Sequence, residues 1–354
     1  MAHGRPGTLA VMTGAMSKVA APARRSLVRN WLHVLRTTNP PDGPVDPISR
    51  WLVLTRASVI PMTLTAAAVG GFLAWWRTPD SVDVGLLLLA AVGLMLAHLA
   101  NNLMNDLFDL GVGTDSESYP RALYAPHPVL SGMTSRRGLA TAAITINLGD
   151  LGILVVLGAA RGWPVVAFAL SGFLLSLAYT APPLRLKKHG LGEPTVLVVW
   201  GPLMVGGTYY AATGSIPWQV IVASIPYALL CTAVLMGKHI DKIPWDAPDG
   251  TRTFPVIMGE RAARVAAQAL MAGFYVLVAV LVAVRALPVP ALLALLAVPK
   301  LVPIWKAFGQ PKPDAPPEGF PVWPLWFAAL AFVHTRRAGG LFVLGLLLGV
   351  IVGW

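Results

Sequence analysis

The chain has 354 residues, of which 56% are hydrophobic and only 12% charged, against about 25% charged in ordinary soluble domains. That balance excludes a water-exposed globule and predicts an all-α, polytopic membrane bundle. A formal net charge of +11 would suit a nucleic-acid binder, but its placement in alternate connections of an apolar chain reads as membrane topology, so no nucleic acid is expected as a partner.

Residues 1–50 make a basic N-terminal arm that lacks the apolar core of a secretory signal, so no cleavage is expected. Within it Leu27, Trp31 and Leu35 share one helical face and Arg25, Arg29 and Arg36 another, which suits a helix lying on an anionic leaflet. A disordered basic tail is the other reading, and Pro40, Pro41 and Pro44 then form a linker. Residues 51–354 form the membrane domain, in which about nine apolar stretches approach the ~20 residues that cross a bilayer. These run over 51–75, 82–101, 138–160, 163–181, 194–212, 218–239, 264–284 and 288–305, with a last one ending at 354. The last region divides: 322–333 reads as interfacial or re-entrant, His334, Arg336 and Arg337 interrupt it, and 341–354 is the final span. Arg121, Arg136, Arg137, Arg185, Lys187, Lys188, Lys238, Lys242, Arg252, Arg261, Lys306 and Lys312 all fall in one set of alternate connections. The other set offers only Arg77, Arg161 and Arg285, so the N-terminus and the long connections are expected on the cytoplasmic side of a cell or inner membrane. The only cysteine, Cys231, lies inside the sixth stretch, which excludes an intramolecular disulfide and a cysteine metal cluster.

Acidic residues are scarce and gather at two places. The first, NNLMNDLFDLGVGTD, carries Asn101, Asn102, Asn105, Asp106, Asp109 and Asp115 at the end of the second stretch. The second, GKHIDKIPWDAPDGTRT, carries Asp241, Asp246 and Asp249 after the sixth. If the second stretch stays helical past Asn105, then Asn105 and Asp109 are one turn apart with Asp106 beside them, and Gly111 and Gly113 let Asp115 turn back. Such hard oxygen ligands suit Mg²⁺, which is commonly held by one or two carboxylates together with substrate phosphates. Acids at the same ends of spans two and six suggest two repeats closing on one cavity, with a diphosphate held between two metal clusters. The bland alternative is that these acids end helices and face solvent. Arg185, Lys187 and Lys188 follow the fourth stretch on the same side, where such side chains could recognise phosphate oxygens or simply belong to a basic loop. Arg56, several residues inside the first stretch, faces a polar cavity or snorkels to the interface.

The segment NDLFDLGVGTD resembles the NDxxDxxxGxD form of the first aspartate motif in the UbiA superfamily of intramembrane prenyltransferases. YTAPPLRLKKHGLGE, GPLMVGGTYYAATG and RTFPVIMGE, the last containing Arg252, resemble further family segments in order, and Arg56 followed by Pro61 resembles its first span. The resemblance implies nine helices around a central cavity open laterally to lipid. It also implies Mg²⁺-dependent transfer of an isoprenoid chain from a polyprenyl diphosphate to a small aromatic acceptor. GLGE and GTYY are most similar to the branch that prenylates 1,4-dihydroxy-2-naphthoate on the way to menaquinone.

The second motif departs from that branch's NNxRDxxxDxxxGxxT. Lys238 and His239 stand for the asparagines, Asp241 for the arginine, Lys242 for the first aspartate and Asp246 for the second, with Gly250 and Thr253 in place. The expectation is that Asp241 shares a second metal with Asp246 while Lys242 contacts diphosphate. His239 either orients or deprotonates an acceptor, or is an ordinary boundary histidine. Other readings stay open: prenyl transfer to a non-aromatic acceptor, cyclisation in the same fold, a non-catalytic scaffold, or a transporter using the isolated mid-span Asp150 and Lys300.

Overall fold

A computed structural model describes residues 26–111 and 116–353, so Arg25, Gly113 and Asp115 lie outside the described residues. The described residues contain helices and turns and no strand. In order, the helices are α1 (Leu27–Thr37), α2 (Pro47–Leu54), α3 (Ile60–Arg77), α4 (Val84–Gly111), α5 (Pro120–Tyr124), α6 (Arg136–Arg161) and α7 (Trp163–Thr180). They continue with α8 (Gly192–Val198), α9 (Met204–Thr213), α10 (Trp218–Asp246), α11 (Phe254–Met258), α12 (Glu260–Ala283), α13 (Val298–Phe308) and α14 (Trp326–Val352). Among the described residues nine helical segments are long and apolar enough to span a membrane, with α8 and α9 joined by a π turn and α13 preceded by a 3₁₀ segment. Away from their end turns, helices satisfy backbone N–H and C=O groups internally, which is what an apolar solvent demands.

The interior holds both alanines and large aromatic side chains. Tyr209, Tyr227, Phe274, Phe308, Phe327 and Phe342 are fully buried, while Leu148, Val155, Leu174, Val276 and Ile351 face outward, as suits a surface bathed in lipid. Without a hydrophobic force between helices in lipid, close approach depends on small residues. A Cβ at Gly70 on α3 would sit 2.6 Å from the Val205 carbonyl oxygen of α9. One at Gly237 on α10 would sit 2.7 Å from the Phe327 carbonyl carbon and 2.9 Å from the Ala328 nitrogen of α14.

Three elements differ from the sequence expectation. The first stretch is broken: α2 ends at Leu54 and Arg56 takes a left-handed conformation (φ 54°) before the spanning helix begins at Ala57. The sixth spanning helix, α10, runs on through Pro244 to Asp246, so Asp241 and Asp246 lie on the helix and not after it. The last span is one helix, α14, and not an interfacial piece plus a short span. His334 is buried with Nε2 3.3 Å from the Tyr275 hydroxyl, and Arg336 and Arg337 lie on the exposed face, Arg336 over the Phe332 ring, so none of them breaks the helix. In the N-terminal arm α1 does form. Its Trp31 indole donates to Asp46, the cap of α2, while Leu27 and Leu35 stay exposed.

Gly237→Ala should lower the unfolding midpoint in detergent by the equivalent of about 1–3 kcal/mol, because the added methyl meets backbone and not a flexible side chain. Gly340→Ala on α14, with open space around it, should leave the midpoint unchanged or raised.

Candidate active site

Helix α4 stays helical to Gly111 and presents its polar side chains to the interior near one end of the bundle. Asp106 is 1% exposed and lies between two guanidiniums. Arg56 Nη2 donates to Oδ1, while Arg121 donates from Nε to Oδ1 at 2.9 Å and from Nη2 to Oδ2 at 2.8 Å. One turn on, Asp109 receives Lys187 Nζ at 2.8 and 2.6 Å on its two oxygens. Asn105 accepts from the Thr180 hydroxyl at the end of α7, Asn102 Nδ2 donates to the Thr55 carbonyl at 2.9 Å, and Asn101 accepts from Ser176 at 2.6 Å. The second cluster reaches the first through the α4–α6 connection. Tyr119 donates its hydroxyl to Asp246 Oδ1 at 2.6 Å, and Lys242 Nζ lies 3.7 Å from the same oxygen and 4.5 Å from the Tyr119 ring centre. The Trp245 indole donates to the Ser118 carbonyl at 3.0 Å.

The surroundings are electropositive. Tyr124, on the short α5, has a phenol that burial alone would raise, yet Arg56, Arg121 and Lys238 outweigh burial and draw its pKa below the ordinary value. Such a site favours a multiply charged anion.

The remaining predicted residues are placed as follows. Arg185 is half-buried in a left-handed conformation (φ 43°), and its Nε has no hydrogen-bond partner among the described residues. Lys188 is half-buried and its carbonyl accepts the Arg252 amide at 3.1 Å, which joins the loops after α7 and α10, while the Arg252 side chain is exposed. Buried His239 pairs through Nδ1 with Glu193 Oε1 at 2.8 Å. Asp241 departs from expectation. Its two oxygens accept the Phe327 and Ala328 amides at 3.1 and 2.8 Å, at the start of α14, so it anchors that helix and does not face Asp246's partners. Lys312, 4.0 Å from Asp241, lies over the Trp323 ring, and burial lowers its pKa against the pull of Asp241. Sequence reasoning missed Arg121, Tyr119 and Glu193 as site residues. The YPRALY stretch, with Pro at the first helical position, marked a short helix inside a connection and was the available signal for the first two.

Among the described residues no three His, Cys, Asp or Glu side chains converge. A divalent ion here would therefore take one or two carboxylates and complete its shell with water and phosphate, which is the habit of Mg²⁺. The buried Asp246 Oδ2, without a hydrogen-bond partner among the described residues, supplies a hard oxygen of that kind. The residues fit the ion.

The sequence pattern of the UbiA prenyltransferase family matches residues 63–330. The chain belongs to this family. It is an integral, multi-pass membrane prenyltransferase. It is 26% identical to the 2-carboxy-1,4-naphthoquinone phytyltransferase of Synechocystis over 72% of this chain and 78% of that one. It is 29% identical to the 1,4-dihydroxy-2-naphthoate octaprenyltransferase of Bacillus subtilis over 71% and 80%. The fold matches a UbiA homolog from Aeropyrum pernix with TM-score 0.60 at 17% identity, covering 82% of this chain and 98% of that one. It also matches the Archaeoglobus fulgidus homolog bound to DMAPP and Mg²⁺, with TM-score 0.54 at 18% identity, covering 83% and 99%.

Asp241→Ala should destabilise the protein by about 1–3 kcal/mol in detergent unfolding, because two α14 amides lose their acceptor. In the folded fraction the Mg²⁺ concentration giving half-maximal turnover should not change.

Proposed function

We propose that this prenyltransferase transfers an isoprenoid chain from a polyprenyl diphosphate to a small hydroxylated aromatic acceptor of the naphthoate type, releasing pyrophosphate in a Mg²⁺-dependent reaction. The observation that carries the reading is the Tyr119–Asp246 hydrogen bond, which joins the loop of the first aspartate cluster to the second and leaves four cations, Arg56, Arg121, Lys187 and Lys242, on carboxylates or beside them. The naphthoate prenyltransferases among the relatives support the acceptor class.

In this reading Asn105, Asp106, Asp109 and Asp246 would hold Mg²⁺, and Asp115 is a further proposed ligand. Bound there, the ion would neutralise charge on the departing diphosphate. The chain's own work is positional. Lys187 and Arg121 exchange their carboxylate partners for phosphate oxygens, Arg121 presenting a planar fork and Lys187 a point charge. Arg56, Arg185, Lys188, Lys242 and Arg252 are proposed to contribute the remaining positive field. Burial of the cluster lowers the local dielectric and strengthens each of these contacts on the developing negative charge.

Asp109→Ala should reduce turnover by roughly 10²-fold or more, and Lys187→Met should chiefly raise KM for the prenyl diphosphate. Product assays with a purified, folded protein check both, and unimpaired Asp109→Ala turnover contradicts the site. The proposed orientation places this end of the bundle in the cytoplasm. With Cys231 replaced, cysteines introduced at Glu117 and Pro248 should then react with impermeant reagents only from that side.

A further inference from the structure

A second buried ionisable pair adjoins the diphosphate cluster. Glu193, at the start of α8, and His239, on α10, are each 3% exposed, and His239 Nδ1 meets Glu193 Oε1 at 2.8 Å. A pair that only pinned α8 to α10 would be expected to satisfy both carboxylate oxygens. Here Glu193 Oε2 is buried without a hydrogen-bond partner among the described residues. An unsatisfied buried acceptor of this kind is costly and calls for a donor from elsewhere.

Its position says which donor. A Cβ at Gly192 would lie 3.2 Å from His239 Cε1, 3.4 Å from Lys187 Cα and 3.5 Å from Tyr179 Cε2, so the pair and the Asp109-bound lysine share one packed junction. Lys187 Nζ lies 5.8 Å from the centre of the Tyr179 ring. Glu193, the residue after this glycine, thus adjoins both the Tyr179 ring and the lysine that pairs with Asp109.

We propose that Glu193 Oε2 binds the hydroxyl of the aromatic acceptor and takes its proton, and that His239 is the positioning residue that fixes the carboxylate. The proposal rests on the prenyl-transfer reading above. The acceptor O–H proton passes to Glu193, and electron density moves into the ring. The ring carbon forms a C–C bond to the allylic carbon as that carbon's bond to diphosphate oxygen breaks, and the pair from the broken bond leaves on pyrophosphate. The proton displaced from the substituted ring carbon goes to water, and Glu193 returns its proton to the oxygen. The net change is acceptor–H plus prenyl diphosphate giving prenylated acceptor, pyrophosphate and H⁺.

The test uses the full chain in nanodiscs with Mg²⁺, a polyprenyl diphosphate, and 1,4-dihydroxy-2-naphthoate or its methyl ethers as acceptor probes. Wild type should favour the free hydroxyl over the ether by ~10²-fold in kcat/KM, and Glu193→Gln should lose that preference. Glu193→Gln should leave the Kd for the prenyl diphosphate within about twofold, because that substrate is held by other residues. His239→Asn, which keeps a donor to Glu193, should retain most activity, whereas His239→Leu should fall with Glu193→Gln. Equal loss on both acceptors, or loss of prenyl-diphosphate binding in Glu193→Gln, would make the pair a structural pin and overturn the proposal. Wild type that binds prenyl diphosphate but prenylates neither probe would overturn the acceptor class, and this proposal with it. Wild type that does not bind prenyl diphosphate would instead overturn the prenyl-transfer reading.

Discussion

A carboxylate taken out of water among apolar helices costs several kcal/mol unless opposite charge and hydrogen bonds come with it. Asp106 meets that condition by drawing Arg56 from the break before the first span and Arg121 from the α4–α6 connection onto one side chain. Much of the bundle's polar end follows from this demand. The connection must fold inward as α5 to deliver Arg121, and in doing so it carries Tyr119 to Asp246. Arg56 must leave helical geometry, and its left-handed backbone costs about 1–3 kcal/mol. Arg185 adopts the same conformation across the site. Arg285, beyond the far end of α12, is left-handed as well, so it is the ion pairs and not backbone strain that point to an anion site.

The same pairing gives the proposed reaction its logic. In the proposed reaction the carboxylates begin paired with lysine and arginine. Bringing in a diphosphate with Mg²⁺ then exchanges partners, phosphate to the bases and metal to the acids, while the total charge of the buried cluster changes little. Asp241 takes no part in this exchange, because the start of α14 already occupies both its oxygens. Packing between α10 and α14, made possible by Gly237, and the chemistry of the second cluster thus use different faces of one helix.

The span pattern was legible because each crossing needs a long apolar run: eight of the expected stretches overlap single spanning segments, although the second and sixth helices run on past their expected ends to Gly111 and Asp246. The ninth was misread because His334, Arg336 and Arg337 look like a boundary in one dimension. On the helix one of them turns inward to Tyr275 and two turn outward. The first acidic cluster was legible through helical spacing, which places Asn102, Asn105, Asp106 and Asp109 on neighbouring faces of α4. The role of Asp241 was not legible, since it depends on where a helix more than eighty residues later begins. Glu193 was hidden for a similar reason: its partner His239 is 46 positions away, and nothing in either local pattern announces the pair.

The central claim is that the resting ion pairs around Asp106 and Asp109 are exchanged for phosphate and metal together. Calorimetric titration of a non-hydrolysable prenyl thiodiphosphate into the detergent-solubilised protein, with and without Mg²⁺, measures that coupling directly. The account predicts binding that tightens at least about tenfold when Mg²⁺ is present, a gain that disappears in Asp109→Asn. Equal affinity with and without Mg²⁺ would contradict it.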